Sequence, residues 1–146
     1  MAAAVCGKID PGRKGKRMGT KSKTAALAAA CSCALLWLLA CRLLALLPAP
    51  AWDAAALSFV QHCVAAPAAE ELVFRGAVQR LARPLGQREA VLAQAALFAV
   101  QHSGPAAMLW ALVCGLGLGW LAQRTGRVWP GVLLHTLNNL LVFAAG

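Results

Sequence analysis

The sequence predicts an all-α fold, a polytopic membrane helix bundle with about five transmembrane helices. Two observations lead to this prediction. The chain is 60% hydrophobic and only 13% charged, whereas about 25% of the residues are charged in a typical soluble domain. Long apolar runs alternate with short segments rich in Pro, Gly and Arg, and we find no strand-like alternation. The length of 146 residues fits one domain.

Residues 1–23 form a basic arm in this interpretation. They hold seven of the fourteen Lys and Arg residues, together with several glycines. Such a composition is typical of a disordered segment. A basic segment beside an apolar helix usually contacts anionic lipids and sets the topology. We do not expect it to bind nucleic acid, because no aromatic residue is interleaved with its charges.

Residues 24–47 are predicted to form the first transmembrane helix. The eighteen residues from 24 to 41 carry no charge, which is long enough to span a bilayer. Arg42 lies near the far end, where its long side chain can reach the interface. A cleaved signal peptide is the alternative, with Ala49-Pro50-Ala51 as the cleavage site.

Residues 54–146 are predicted to form the helical core of the bundle. Asp53 is a plausible N-cap for its first helix, and Pro67 is expected to kink that helix. Gly115 and Gly119 form a small-xxx-small pair that permits close helix packing, either inside the bundle or between subunits of an oligomer. The four helices of the core are expected at about 54–82, 87–103, 106–123 and 129–145.

The loop charges predict the orientation of this bundle. Arginines occupy the connections between the second and third helices and between the fourth and fifth, whereas residues 48–53 and 103–105 contain no Lys or Arg. The positive-inside rule then places the N-terminus in the cytoplasm and the C-terminus outside. The Ala-rich composition and compact size favour an integral protein of a bacterial inner membrane.

Ionisable groups inside the apolar helices are the candidate functional residues, because such groups are costly in a membrane and usually mark a functional site. Glu71 and Arg75 have the i,i+4 spacing and order that favour an ion pair. Glu70 points to a different face and has no local partner, which makes it a candidate general base. At 1.5 Å per residue, Glu70 lies roughly 18 Å and His135 roughly 9 Å from the cytoplasmic helix ends. The sequence therefore leaves open whether they meet.

Two further i,i+4 pairs share a helix face, Phe98 with His102 and His135 with Asn139. An imidazole beside a carboxamide is a plausible pair of hydrogen-bond donors. His62 lies eight residues before Glu70 on nearly the same face. We interpret it as a residue of the substrate channel or of the packing.

These motifs, in this order, resemble those of the CAAX-protease and bacteriocin-processing (CPBP, or Abi) family of glutamate-type intramembrane proteases. The resemblance covers about residues 57–143, on the three motifs EExxxR, FxxxH and HxxxN. It implies a hydrolase that cleaves a peptide bond in a membrane-associated protein tail or leader, without a cofactor. It implies that Glu70 activates water with help from His102, and that His135 and Asn139 form an oxyanion hole.

In the same resemblance, Glu71, Arg75 and Phe98 support the site. Two alternatives stay open. Glu70, His102 and His135 are a ligand set that suits catalytic zinc, which would make the protein a metalloprotease. The polar groups could instead form a structural network in a non-catalytic membrane scaffold or immunity protein. The partners expected for the protease are a membrane-associated protein or peptide substrate and anionic lipids at the basic arm.

Overall fold

The computed structural model describes residues 19–47 and 53–145. The predicted cleavage site at residues 49–51 and most of the predicted basic arm lie outside these ranges. The described residues form five helices and no strand, so the protein is an all-helical membrane bundle, as predicted. The helices are α1 (Thr20–Leu44), α2 (residues 54–82), α3 (Gln87–Ala99), α4 (Pro105–Thr125) and α5 (Trp129–Ala144).

Helix α2 is the centre of the bundle and contacts each of the other four helices. Asp53 caps its N-terminus, because a carboxylate oxygen accepts from the Ala55 backbone N–H at 3.0 Å. This confirms the predicted N-cap. At its other end a 3-10 turn (Arg83–Leu85) and Gly86, with a φ of 135°, lead into α3.

Two segments of α2 are wound as π-helix, Gln61–Ala65 and Leu72–Val78. The first ends just before Ala66 and Pro67. Because Pro67 has no N–H and its ring would crowd the carbonyl four residues earlier, a wider turn accommodates it. The second carries Phe74 and Arg75, both buried. Turns of this kind are frequent at functional sites, and the sequence patterns did not predict either of them.

Helix α1 packs a stripe of small residues onto α2, with Ala26, Ala30 and Ala34 buried at i,i+4 spacing. Leucines such as Leu35 and Leu36 on its other faces are exposed. Inside a membrane the hydrophobic effect does not drive helices together, and small residues stabilise their packing by letting the backbones approach closely. The exposed leucines then face lipid.

Helices α1 and α4 are each long and apolar enough to cross a membrane. At 1.5 Å per residue, α1 is about 37 Å long and α4 about 31 Å, against a hydrocarbon core of about 30 Å. Helix α3 packs along α4. Gly115 of α4 lies against Ala95, where a Cβ would come within 3.1 Å of that residue. In this structure the glycine pair therefore serves packing inside the bundle.

The predicted third helix is too long. Helix α3 ends at Ala99, and Val100 to Gly104 form turns and bends before Pro105 begins α4. Gly104 has a φ of 89°, a conformation that a non-glycine residue rarely adopts. The chain must leave the helix early to reverse direction. His102 consequently lies beyond the end of α3, in the connection to α4.

Candidate functional site

A buried ion pair lies at the centre of the site. Arg75 Nη1 is 2.8 Å from Glu71 Oε1, and both side chains are fully buried. The spacing of the two residues along α2 predicted this pair. The guanidinium carbon of Arg75 also lies 4.6 Å from the centre of the Phe98 ring, an attractive cation–π geometry. Phe98 thus connects α3 to the charged centre of α2.

His135 of α5 lies between the two adjacent glutamates. Its Nδ1 is 3.1 Å from Glu71 Oε1, and its Nε2 is 3.7 Å from Glu70 Oε2. The two glutamates project about 100° apart on an α-helix, and the imidazole has its two nitrogens on different sides of the ring. One ring can therefore face both carboxylates. The helix depths estimated from the sequence separated Glu70 from His135, and the tertiary structure brings them together.

Gly131 explains how α5 comes so close to α2. It lies one turn before His135, and a Cβ at this position would be 2.6 Å from Glu71 Oε2. The absence of a side chain leaves the room that the buried carboxylate occupies. A glycine four residues before the histidine was therefore a signal of this close approach already present in the sequence.

The His102 side chain is held by the last turn of α3. Its Nδ1 is 3.1 Å from the Phe98 carbonyl oxygen, and its ring packs edge to face on the Phe98 ring at 4.8 Å. A carbonyl can only accept, so Nδ1 carries a proton and Nε2 of the neutral ring is an acceptor. Within the part of the chain that the structure describes, no hydrogen bond or ion pair joins His102 to Glu70.

The side chain of Asn139 is fixed at both ends. Its Nδ2 donates to the His62 carbonyl at 2.9 Å, and its Oδ1 accepts from Asn138 Nδ2 at 3.2 Å. The His62 carbonyl belongs to the first π-helical segment of α2. The His62 ring is exposed and bonds the Ser58 carbonyl. The part of His62 that contacts Asn139 is therefore its backbone carbonyl and not its side chain. One of the two N–H groups of Asn139 remains for another acceptor.

A cavity of about 610 Å³ opens beside these groups, between α4 and α5. Its polar wall consists of His102, His135, Asn138 and Asn139. The rest of its lining is almost entirely apolar and includes Trp110, Ala111, Leu118, Leu134 and Val142. An apolar pocket with a few converging polar groups is the usual form of a binding site. Asn138 and Trp110 also line this cavity, and the sequence analysis missed both as candidate site residues. Asn138 was detectable as a second carboxamide in an apolar helix.

The zinc alternative requires Glu70, His102 and His135 to converge. In residues 19–47 and 53–145, no three His, Cys, Asp or Glu side chains form a group that could hold a metal ion. His135 instead has a carboxylate beside each of its nitrogens.

Comparison with known proteins relates this site to a family. Residues 51–141 match the family described as type II CAAX prenyl endopeptidase Rce1-like. No curated protein and no solved structure matches the chain significantly. The matched range contains all three motifs and spans α2 to α5, which confirms the resemblance seen in the motifs. The chain therefore belongs to the Rce1-like family of type II CAAX prenyl endopeptidases, and it is a membrane peptidase of that family.

Proposed function

We propose that this protein is an intramembrane endopeptidase that cleaves a membrane-associated protein tail, with Glu70 as the general base. One observation carries the proposal: Glu70 lies 3.7 Å from His135, and His135 is part of the polar wall of the large apolar cavity. The Glu70 side chain is 25% exposed, whereas that of Glu71 is fully buried. Of the two carboxylates, Glu70 is the one that a water molecule can reach.

In the proposed reaction, Glu70 removes a proton from water while the water oxygen attacks the carbonyl carbon of the scissile peptide bond. General base catalysis of this kind contributes about 10²–10⁴-fold. His102 assists through Nε2, which is free to accept the second water hydrogen because Nδ1 bonds Phe98. When the C–N bond breaks, the proton held by Glu70 passes to the departing amine and restores the carboxylate.

The negative charge that develops on the carbonyl oxygen needs hydrogen-bond donors. Asn139 offers its remaining N–H group, oriented by the bonds to Asn138 and the His62 carbonyl. His135 donates from Nδ1 to Glu71, so donation from Nε2 requires the doubly protonated ring. The two carboxylates beside it balance that charge. Such donors are worth about 2.7–4 kcal/mol each in studied enzymes.

The shape of the cavity and the family both support one class of substrate. An apolar chain fits the lining of Trp, Leu, Val and Ala, and the peptide attached to it would lie along the polar wall. A prenylated C-terminal tail has both parts. A bacteriocin leader or a C-terminal sorting tag is the alternative if an unmodified apolar segment occupies the cavity instead. The basic arm would contribute by contacting anionic lipids at the predicted cytoplasmic face of a bacterial inner membrane.

The test is peptide cleavage by the purified full chain in detergent. C-terminal tail peptides, with and without a prenyl group, are incubated with wild type, Glu70→Gln and His102→Ala, each with and without a metal chelator. Glu89→Gln is the matched control, because it makes the same chemical change at an exposed position in the first turn of α3.

We expect cleavage by wild type and Glu89→Gln, with and without chelator. Cleavage should fall at least 10²-fold in Glu70→Gln and more modestly in His102→Ala. Loss of wild-type cleavage with chelator, restored by zinc, would replace this mechanism with the metalloprotease. Equal cleavage by Glu70→Gln and wild type would remove Glu70 from the catalytic role. A folded wild type that cleaves no tail of either kind would favour the scaffold.

A further inference from the structure

A second polar site is lined in part by Arg75, the cation of the buried ion pair. Four arginines surround a small space near the end of α2: Arg75, Arg80, Arg83 and Arg127. Gln79, Ala122, Gly126 and Val128 complete its lining, which contains no acidic residue. The space is about 10 Å³, enough for one water-sized group. A single oxygen of an anion can therefore enter it, with the rest of the group at its mouth.

Arg75 is the most unusual member of this cluster. It is 2% exposed, and its Nε and Nη2 have no hydrogen-bond partner among the described residues. An unpaired buried donor costs about 1–3 kcal/mol, and more when it is charged. Glu71 compensates the charge through Nη1 but leaves these donors unused. The structure thus holds a buried cation with donors that an anion can satisfy.

The start of α5 adds further positive potential at the same place. Val128 is the N-cap of α5 and lines the space, and no side chain caps the helix there. Free N–H groups and the helix dipole give an uncapped N-terminus about half a positive charge. Arg80, Arg83 and Arg127 are exposed, and none of them makes an ion pair within the described residues. The charges of these three arginines are therefore uncompensated among the described residues.

A larger groove of about 350 Å³ adjoins this space and shares Gln79 and Arg83 with it. Its other lining residues are Gln87, Ala90 and Gln123, and so it is mostly polar. Gln79 donates to the Gly119 carbonyl at 3.0 Å, whereas its buried Oε1 has no donor in the described part of the chain. A headgroup that carries a hydroxyl as well as a phosphate would supply that donor.

We propose that this arginine cluster binds a phosphate group, with anionic phospholipid headgroups as the source favoured by its position at the end of the helices. A phosphate oxygen would occupy the small space against Arg75 and the start of α5, and the headgroup would lie in the adjoining groove. Arginine suits this role, because its planar guanidinium donates two parallel hydrogen bonds to phosphate. The site does not depend on the proposed catalytic role of Glu70.

The experiment measures thermal unfolding of the full chain in neutral detergent at constant ionic strength. Phosphatidylglycerol, phosphatidylcholine and inorganic phosphate are titrated separately, and the rise in midpoint gives an apparent dissociation constant for each. The variants are Arg127→Gln and Arg83→Gln. Arg88→Gln is the matched control, since it removes the same charge from an exposed position in the first turn of α3, outside the cluster.

We expect phosphatidylglycerol, but not phosphatidylcholine, to stabilise wild type and Arg88→Gln alike. Its apparent affinity should fall about tenfold or more in Arg127→Gln and in Arg83→Gln. If inorganic phosphate reproduces both the stabilisation and its loss, the site is supported and free phosphate is a second source. Equal affinity in all variants, an equal fall in the control, or no stabilisation would each overturn the proposal.

Discussion

Replacing Gly131 by Ala is the sharpest single test of how α5 is docked on α2. A Cβ at residue 131 would lie 2.6 Å from Glu71 Oε2 and 3.4 Å from its Cδ. The oxygen must therefore move by about 0.8 Å to reach ordinary van der Waals contact at 3.4 Å. Glu71 is buried and already bound to Arg75 at 2.8 Å and His135 at 3.1 Å, so this movement disturbs both contacts.

The magnitude is the balance between one stabilising effect and one of two destabilising effects. Replacing Gly by Ala inside a helix stabilises the folded protein by up to about 1 kcal/mol, because the unfolded chain loses backbone entropy. Overpacking a well-packed interior costs about 1–3 kcal/mol, and breaking a buried ion pair costs about 3–5 kcal/mol. If Glu71 keeps its partners, the free energy of unfolding falls by roughly 0–2 kcal/mol. If Glu71 loses them, it falls by roughly 2–4 kcal/mol.

The assay is reversible unfolding in mixed micelles with increasing denaturing detergent, in parallel with Gly117→Ala. Gly117 also lies inside a helix, but a Cβ there meets nothing within 4 Å. We expect Gly117→Ala to be neutral or more stable than wild type, and Gly131→Ala to be less stable by the amounts above. Equal stability of the two variants would show that α5 does not confine Glu71 and that Gly131 is not needed for the docking of α5 on α2.

Three further predictions concern the ion pair, the packing of α4 on α3 and the proposed oxyanion donor. Arg75→Met should cost about 3–5 kcal/mol of stability in the same unfolding assay, because the buried Glu71 carboxylate loses its arginine and keeps only His135. Gly119→Ala places a Cβ against the Gln94 amide and should cost about 1–3 kcal/mol. A double-mutant cycle with Gln94→Ala should show coupling above about 0.5 kcal/mol, and additive effects would refute the contact. Asn139→Ala should lower kcat for tail cleavage by about 10²–10³-fold with little change in KM, and an unchanged kcat would rule out the oxyanion role.

The sequence predicted the number and order of the helices because that information is local. Apolar runs, their lengths and the breaks at Pro and Gly can each be read within a short window of residues. The Asp53 cap was predictable for the same reason. The end of α3 was less predictable, because apolar residues continue to Val100 and the turn at Gly104 depends on where α4 must begin.

Contacts within the candidate site were predictable only where both residues lie on one helix. Glu71 and Arg75 pair within one helix, so their spacing was sufficient. The contacts of His135 with both glutamates, and of Asn139 with the His62 carbonyl, cross between α5 and α2. Such contacts depend on the rotation and relative shift of two helices, which the helical period does not contain. The π-helical segments change that rotation within α2 itself.

By itself, the amino-acid sequence determined that this protein is a helical membrane bundle with a few charged and polar side chains in its interior, and which side chains these are. The cost of placing such groups in an apolar environment makes them visible in the sequence. Only the tertiary structure decided which of them meet. Close packing at small residues, above all Gly131, brings α5 against the two glutamates. The contact between α4 and α5 is less extensive, and the cavity lies between these two helices. Helix pairing is a property of complementary surfaces, and no single stretch of the chain encodes it.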